Sequence, residues 1–129
     1  MSYTVDYCVS QINGCRRTLG ILKEDLTKLK SIIKIITESK VLYDTSLIEL
    51  EKAKNSLYNG FSGVTASKHY SKMKKIIEYF KEDENSIMAI QSDASKKQIE
   101  IAKRISSTEG DLYYWEHQLD IARTEASND

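Results

Sequence analysis

Two histidines, two cysteines and a run of carboxylates are the residues of this chain whose types could do chemistry. His69 and His117 stand far apart in the sequence, and neither belongs to an H-E-x-x-H or C-x-x-C pattern, so no metal site is expected. Cys8 and Cys15 are one heptad apart, which on a helix separates their Cα atoms by about 10 Å. A disulfide needs roughly 4.4 to 6.8 Å, so these two cannot bridge each other. They read as small apolar residues, or as cross-linking points between copies. Asp83 and Glu84 are adjacent and diverge around a helix, unlike a working acid/base pair. Neither a glycine-rich phosphate loop nor a G-x-S-x-G elbow is present. The expectation is a protein with no catalytic residues, no metal and no cofactor.

The elements that would position these residues are easier to read. Val5, Cys8, Ile12, Cys15, Leu19, Leu22, Leu26, Leu29, Ile33 and Ile36 recur at alternating steps of three and four. That spacing is a heptad seam, with side chains returning to one helix face, and a strand of period two cannot make it. The register continues through Lys40, Tyr43, Leu47, Leu50, Lys54, Leu57 and Phe61, weakened at two lysines but in phase. A looser seam follows: Tyr70, Met73, Ile77, Phe80, Ile87, Ala94, Ile101, Ile105, Leu112, Trp115, Leu119 and Ala122. Its gaps are Glu84, Gln91, Gln98 and Thr108, polar residues that lower stability while restricting register. Ile76, Tyr79, Met88, Ile90 and Ile99 fall off this register, which implies that a further face of the second helix is occupied.

The pattern predicts an all-α fold: a long antiparallel helical hairpin with coiled-coil-like packing, in a single domain over residues 1–129. One helical arm spans 2–57, an elbow 58–63, a second arm 64–122, and a frayed tail 123–129. Thr37, Ser39, Asp44, Thr45 and Ser46 suggest a bend or short break within 37–46, where Asp44 or Ser46 could cap a restart. Gly60 and Gly63 mark the elbow. Gly14 and Gly20 interrupt no seam position and read as local costs in helix stability.

Nineteen basic residues balance nineteen acidic ones, and the chain has no proline. Lys68, Lys72, Lys74 and Lys75 form one basic cluster, followed by Glu82, Asp83 and Glu84, which reads as a solvated helix face. Without a clustered basic field, neither nucleic acid nor an anionic membrane surface is an expected partner. No stretch approaches the roughly 20 apolar residues of a membrane span, and the first residues lack a signal peptide's basic start and apolar run. The expected location is cytoplasmic, with any export following a route independent of a signal peptide.

The elbow carries a resemblance. Phe61-x-Gly63-x-x-Ala66-x-x-x-Tyr70, between two long proline-free helices, resembles the W-x-G elbow of the small helical-hairpin proteins of type VII secretion, with Phe61 in place of tryptophan. Over most of its length the chain is most similar to the YwqH-like accessory partners of LXG-type toxins in Gram-positive bacteria. The resemblance implies a non-catalytic targeting factor that binds the helical N-terminal domain of an LXG toxin. It also implies an indirect or transient contact with the secretion ATPase, and room for a second small helical partner. Such partners carry a Tyr-x-x-x-Asp/Glu export signal. Tyr79 with Asp83 fits it, and Phe80 with Glu84 overlaps one position on; a plain i, i+4 helical pair is the simpler reading. The seam residues expected to pack against the partner are Leu19, Leu22, Leu26, Leu29, Ile33, Ile77, Ile87, Ile101 and Trp115. The rival reading of the same seams is a self-associating coiled-coil scaffold or assembly protein, with a homodimer as its simplest form.

Overall fold

The computed structural model describes residues 3–60 and 64–128, with side chains for 3–56 and 67–128. Two helices account for it: α1 (Val5–Gly60) and α2 (Val64–Asn128). They pack antiparallel, so that Arg16 of α1 meets Glu116 of α2, and Glu51 meets Lys81. The chain is an all-α helical hairpin, with no strand among the described residues.

The start of α1 is set by Thr4. Its hydroxyl oxygen accepts a hydrogen bond from the Tyr7 amide at 3.2 Å, and its carbonyl accepts one from the Cys8 amide at 3.1 Å. This is N-capping, with Asp6 adding favourable negative charge in the first turn.

The break expected within 37–46 is absent: α1 is helical throughout. Its polar residues are absorbed by the helix itself. The Thr37 hydroxyl donates to the Ile33 carbonyl at 2.9 Å, and the Thr45 hydroxyl to the Val41 carbonyl at 3.0 Å. Asp44 pairs with Lys40 one turn back at 3.4 Å instead of capping a restart. Back-bonding of this kind satisfies a hydroxyl without opening the helix ladder. The helices also extend past the expected arm limits. Residues 58–60 of the expected elbow belong to α1, and residues 123–128 of the expected tail belong to α2. Thr124 and Ser127 donate to the carbonyls of Asp120 and Arg123 in that last stretch.

The hairpin divides into two compact units. The end unit joins residues 1–30 to 96–129, and the middle unit is 31–95. In the end unit Cys8, Ile12, Leu19 and Leu22 are buried from α1, and Ile101, Leu119 and Ala122 from α2. Cys8, Ile12, Leu119 and Ala122 form one cluster, with Val5, Leu112 and Trp115 packed on it. In the middle unit Ile77, 3% exposed, is the buried hydrophobic residue. Ile33, Ile36, Tyr43, Leu47, Leu50, Met73, Phe80 and Ile87 of the same unit are half-buried. The Tyr43 and Phe80 rings pack with centroids 5.5 Å apart.

Candidate partner-binding surfaces

The seam expected to meet a partner is used inside the chain. Leu19, Leu22, Ile77 and Ile101 are buried, and Leu26, Leu29, Ile33, Ile87 and Trp115 are half-buried on the same 3-4 register. Each helix of the hairpin covers the seam of the other. A partner must therefore read the apolar side chains left outside.

At the elbow, Phe61 and Gly63 lie outside the described residues, as does the side chain of Ala66. Tyr70 is half-buried, and the Lys54 ammonium sits 5.9 Å from its ring centroid. The two overlapping export pairs separate cleanly. Phe80 packs on Tyr43, and Glu84 is half-buried against Asp44, so both are internal. Tyr79 and Asp83 are exposed one turn apart on α2.

The seam of the middle unit is built partly from charge. Glu84 and Asp44 share a hydrogen bond between their carboxyl groups, which requires a proton on one of them. That bond holds the Glu84 pKa above the ordinary carboxylate value, helped by partial desolvation and the Asp44 charge. The same bond, with Lys40, holds Asp44 below its ordinary value. Glu51 is lowered by its hydrogen bond to Lys54 at 3.1 Å and by Lys81 at 3.5 Å. Gln91 donates to the Thr37 hydroxyl oxygen at 3.3 Å, tying α2 to α1 through polar groups.

Among the apolar side chains that remain outside are two groups, one in each unit. In the end unit four aromatic rings meet: Tyr3 just before α1, Tyr7 on α1, and Tyr114 and Trp115 on α2. Tyr3 and Tyr7 stack at 5.5 Å, and both stand edge-on to Trp115, at 4.8 and 5.5 Å. Tyr114 completes the group 5.0 Å from Trp115, and its hydrogen bond with Tyr3 raises the Tyr3 pKa. Tyr3, Tyr7 and Tyr114 are exposed around a half-buried Trp115, and Tyr113 beside them is 75% exposed. Of this group the sequence pattern marked Trp115, as a seam residue, and missed Tyr3, Tyr7 and Tyr114. The four-residue spacing of Tyr3 and Tyr7, across the Thr4 cap at the start of α1, was the available signal.

In the middle unit most exposed apolar side chains are aliphatic, with Val41, Ile48 and Met88 exposed on the side of the Glu51–Lys81 pair. Ile32, Ile35 and Leu42 of α1, and Ile76, Tyr79 and Ile90 of α2, occupy the heptad positions flanking one side of the seam, and all are exposed. Ile35, Ser39 and Ile90 share an open groove of about 220 Å³ with Ile36, Tyr43 and Ile87. The other side of the seam carries the Glu51–Lys81 ion pair. The off-register residues of α2, Ile76, Tyr79, Met88, Ile90 and Ile99, are exposed among the described residues.

Among the described residues no group of three or more His, Cys, Asp or Glu could hold a metal ion, and no helix is long and apolar enough to cross a membrane. Comparison with known proteins finds no matching family model, curated protein or solved structure.

Proposed function

We propose that this chain is a non-catalytic partner protein that binds the helical N-terminal domain of an LXG-type toxin and helps present it for type VII secretion. The observation that carries the reading is the exposed aromatic group of the end unit, on a hairpin whose own seams are already covered. Tyrosine and tryptophan dominate protein interfaces because each offers large contact area with few rotors and a polar edge that can stay wet. Tyr3, Tyr7 and Tyr114, braced by Trp115, are ordered before any partner arrives, which lowers the entropy lost on binding. A helical domain with an apolar stripe would lie against them. The exposed Tyr79 and Asp83 pair suits a recognition element read by the secretion ATPase, directly or with the toxin or a second small helical protein supplying the remainder. In this reading the complex assembles in the cytoplasm and leaves by a route that needs no signal peptide.

The test is capture of the toxin's N-terminal domain by the tagged chain, with toxin in culture supernatant as the second readout. Wild type captures the domain, and Tyr7→Ala and Tyr114→Ala each weaken capture by roughly tenfold or more, the scale of an interface hot spot. Asp83→Ala leaves folding and capture intact and lowers export. Normal export after deletion of the whole gene rejects the reading. Normal export from Asp83→Ala rejects only the signal.

The second reading, a self-associating helical scaffold, is favoured by a different observation: the aliphatic flank of the middle unit.

A further inference from the structure

We infer that the lysine stripe near the start of α2 is the docking surface for an acidic, amphipathic helix of another protein. The balance of charge over the whole chain conceals a local excess. Residues 52–77 hold six lysines, Lys52, Lys54, Lys68, Lys72, Lys74 and Lys75, and no aspartate or glutamate, so the rest of the chain carries the compensating negative charge. Lys68, Lys72 and Lys75 follow one another at steps of four and three, which places them on one face of α2, and all three are exposed. Tyr79 continues that face, 64% exposed, with Ile76, 44% exposed, beside it.

This arrangement works against the free helix. The N-terminal end of a helix is the positive end of its dipole and favours acids, yet the first turn of α2 has none, and Lys68, Lys72, Lys74 and Lys75 are the first charged groups along it. Lysines three and four residues apart repel one another on a helix surface. Among the described residues no carboxylate pairs with any of the four. Glu51 is engaged by Lys54 and Lys81, and Glu78, three residues from Lys75 and four from Lys74, forms an ion pair with neither. The side chains of 57–66, outside the described residues, include no acid. An anionic partner seated on the stripe removes the repulsion that the chain itself leaves in place.

The order of charge along α2 selects the kind of partner. Lys68, Lys75 and Glu82 recur at seven-residue steps on one face, each step about 10 Å along the helix, and Asp83 stands next to Glu82. The sign of charge therefore changes within about 20 Å, past Ile76 and Tyr79. An anionic bilayer or a nucleic-acid duplex lying along the stripe presents one sign throughout and meets Glu82 and Asp83 as well as the lysines. A helix can change sign with the stripe, setting acids opposite Lys68, Lys72 and Lys75, apolar residues over Ile76 and Tyr79, and basic residues opposite Glu82 and Asp83. Complementary charge of this kind fixes the register of a helix pair and the choice of partner. The stripe belongs to the middle unit and shares only Tyr79 and Asp83 with the proposed function, so failure of either leaves the other standing.

The experiment uses the full chain and a fluorescently labelled synthetic helix built to this order: glutamates at successive 3-4 positions in one half, leucines at the centre and lysines in the other half. Anisotropy should show binding that weakens as salt is added. Lys68→Gln, Lys72→Gln and Lys75→Gln together should weaken it by about tenfold or more, the sum of three exposed contacts of ordinary strength. The same change at Lys23, Lys30 and Lys34, exposed lysines of α1, should leave it unchanged. The first triple variant should melt no lower than wild type, because it removes a repulsion and no ion pair. A helix with glutamate in both halves should bind less tightly than the one that changes sign. Absence of binding, equal losses in the two triple variants, a lower melting temperature for the first, or equal binding of the all-glutamate helix overturns the inference. So does tighter binding to phosphatidylglycerol vesicles or to a DNA duplex than to the designed helix.

Discussion

The end unit and the middle unit follow the same 3-4 rule and arrive at different interiors. In the end unit Cys8, Ile12, Leu19, Leu22, Ile101, Leu119 and Ala122 are buried, and ion pairing such as Arg16 to Glu116 at 3.7 Å stays on the exposed rim. An exposed pair of that kind is worth about 0 to 1 kcal/mol, so packing holds this unit together. In the middle unit Lys40, Lys54, Glu84 and Gln91 take seam positions and Ile77 stands nearly alone as a buried apolar side chain. Further aliphatic residues, among them Ile32, Ile35, Leu42 and Ile90, lie exposed outside that seam. Spacing decides which face of a helix turns inward, and residue type decides how dry that face becomes. A unit with a polar seam leaves part of its hydrophobic surface uncovered by its own chain.

The largest effect should come from charging the dry seam. Leu22, 4% exposed, becomes an unpaired buried charge in Leu22→Asp, at a cost of several kcal/mol, enough to unfold the end unit at room temperature. Leu42→Asp, the same change on the middle flank, should leave helicity and melting nearly unchanged in the monomer. Thermal melts followed at 222 nm compare the two. Equal destabilisation would mean that the flank is covered in the folded chain and would erase the contrast between the units.

A smaller and opposite effect follows from drying the middle seam. Glu84→Leu places an apolar side chain at a half-buried seam position beside Phe80 and Ile87, and leaves Asp44 paired to Lys40. It should stabilise the hairpin by about 1 kcal/mol, less than full leucine burial would give. Urea denaturation measures it. A loss of stability would show that the carboxyl pair contributes more than a hydrophobic contact in the same place.

The register was legible in the sequence to a fine degree. Every position from Val5 to Lys54 and from Tyr70 to Ala122 assigned to a seam is buried or half-buried, the lysines and glutamines included. This works because the helical period is a local property, and any apolar stripe must find cover. Three features were not legible. The polar run of 37–46 read as a break, since Thr37 and Thr45 offer the same hydroxyls to a cap or to the preceding turn, and only the folded helix shows which they take. The off-register residues of α2 read as a further occupied face, and sequence cannot say whether its own chain supplies the cover; they are exposed in the single chain. The grouping of Tyr3 and Tyr7 with Trp115 depends on how the two helices align, a relation that no local pattern encodes. Of the proposed elbow, Tyr70 alone has a described side chain.

The carboxyl pair gives the middle unit a pH signature that the end unit's apolar cluster lacks. Glu84 has a folded-state pKa above its ordinary value, so its contribution is present at low pH and lost as pH rises through that raised value. Asp44 and Glu51 are lowered, so theirs are present above their ordinary values and lost as pH falls through the lowered ones. The pair's contribution should therefore be greatest between the lowered Asp44 and the raised Glu84 values, and fall as pH rises through the latter. Glu84→Gln keeps a hydrogen-bond donor to Asp44 without a titrating proton and should flatten the decline on the neutral side. Melting temperature against pH for the two proteins is the measurement. An unchanged profile would place the source of the pH dependence elsewhere.

The smallest effect tests what weakness remains in the better packed unit. Gly20 and Gly110 sit inside α1 and α2 with no atom within 4 Å of where a Cβ would be, so alanine meets no clash. Both positions lie off the seam and are exposed, which removes packing from the comparison. What alanine changes is the unfolded chain, which loses backbone freedom that glycine retains, and each substitution should stabilise by roughly 0.5 to 1 kcal/mol. Because the sites are distant in sequence and share no contact, the double variant should show the sum. Chemical denaturation of the two single variants and the double resolves it. Gains well below this range would mean that the ends of the hairpin open before the rest unfolds, so that the glycines' helical segments are already loose in the state from which stability is measured.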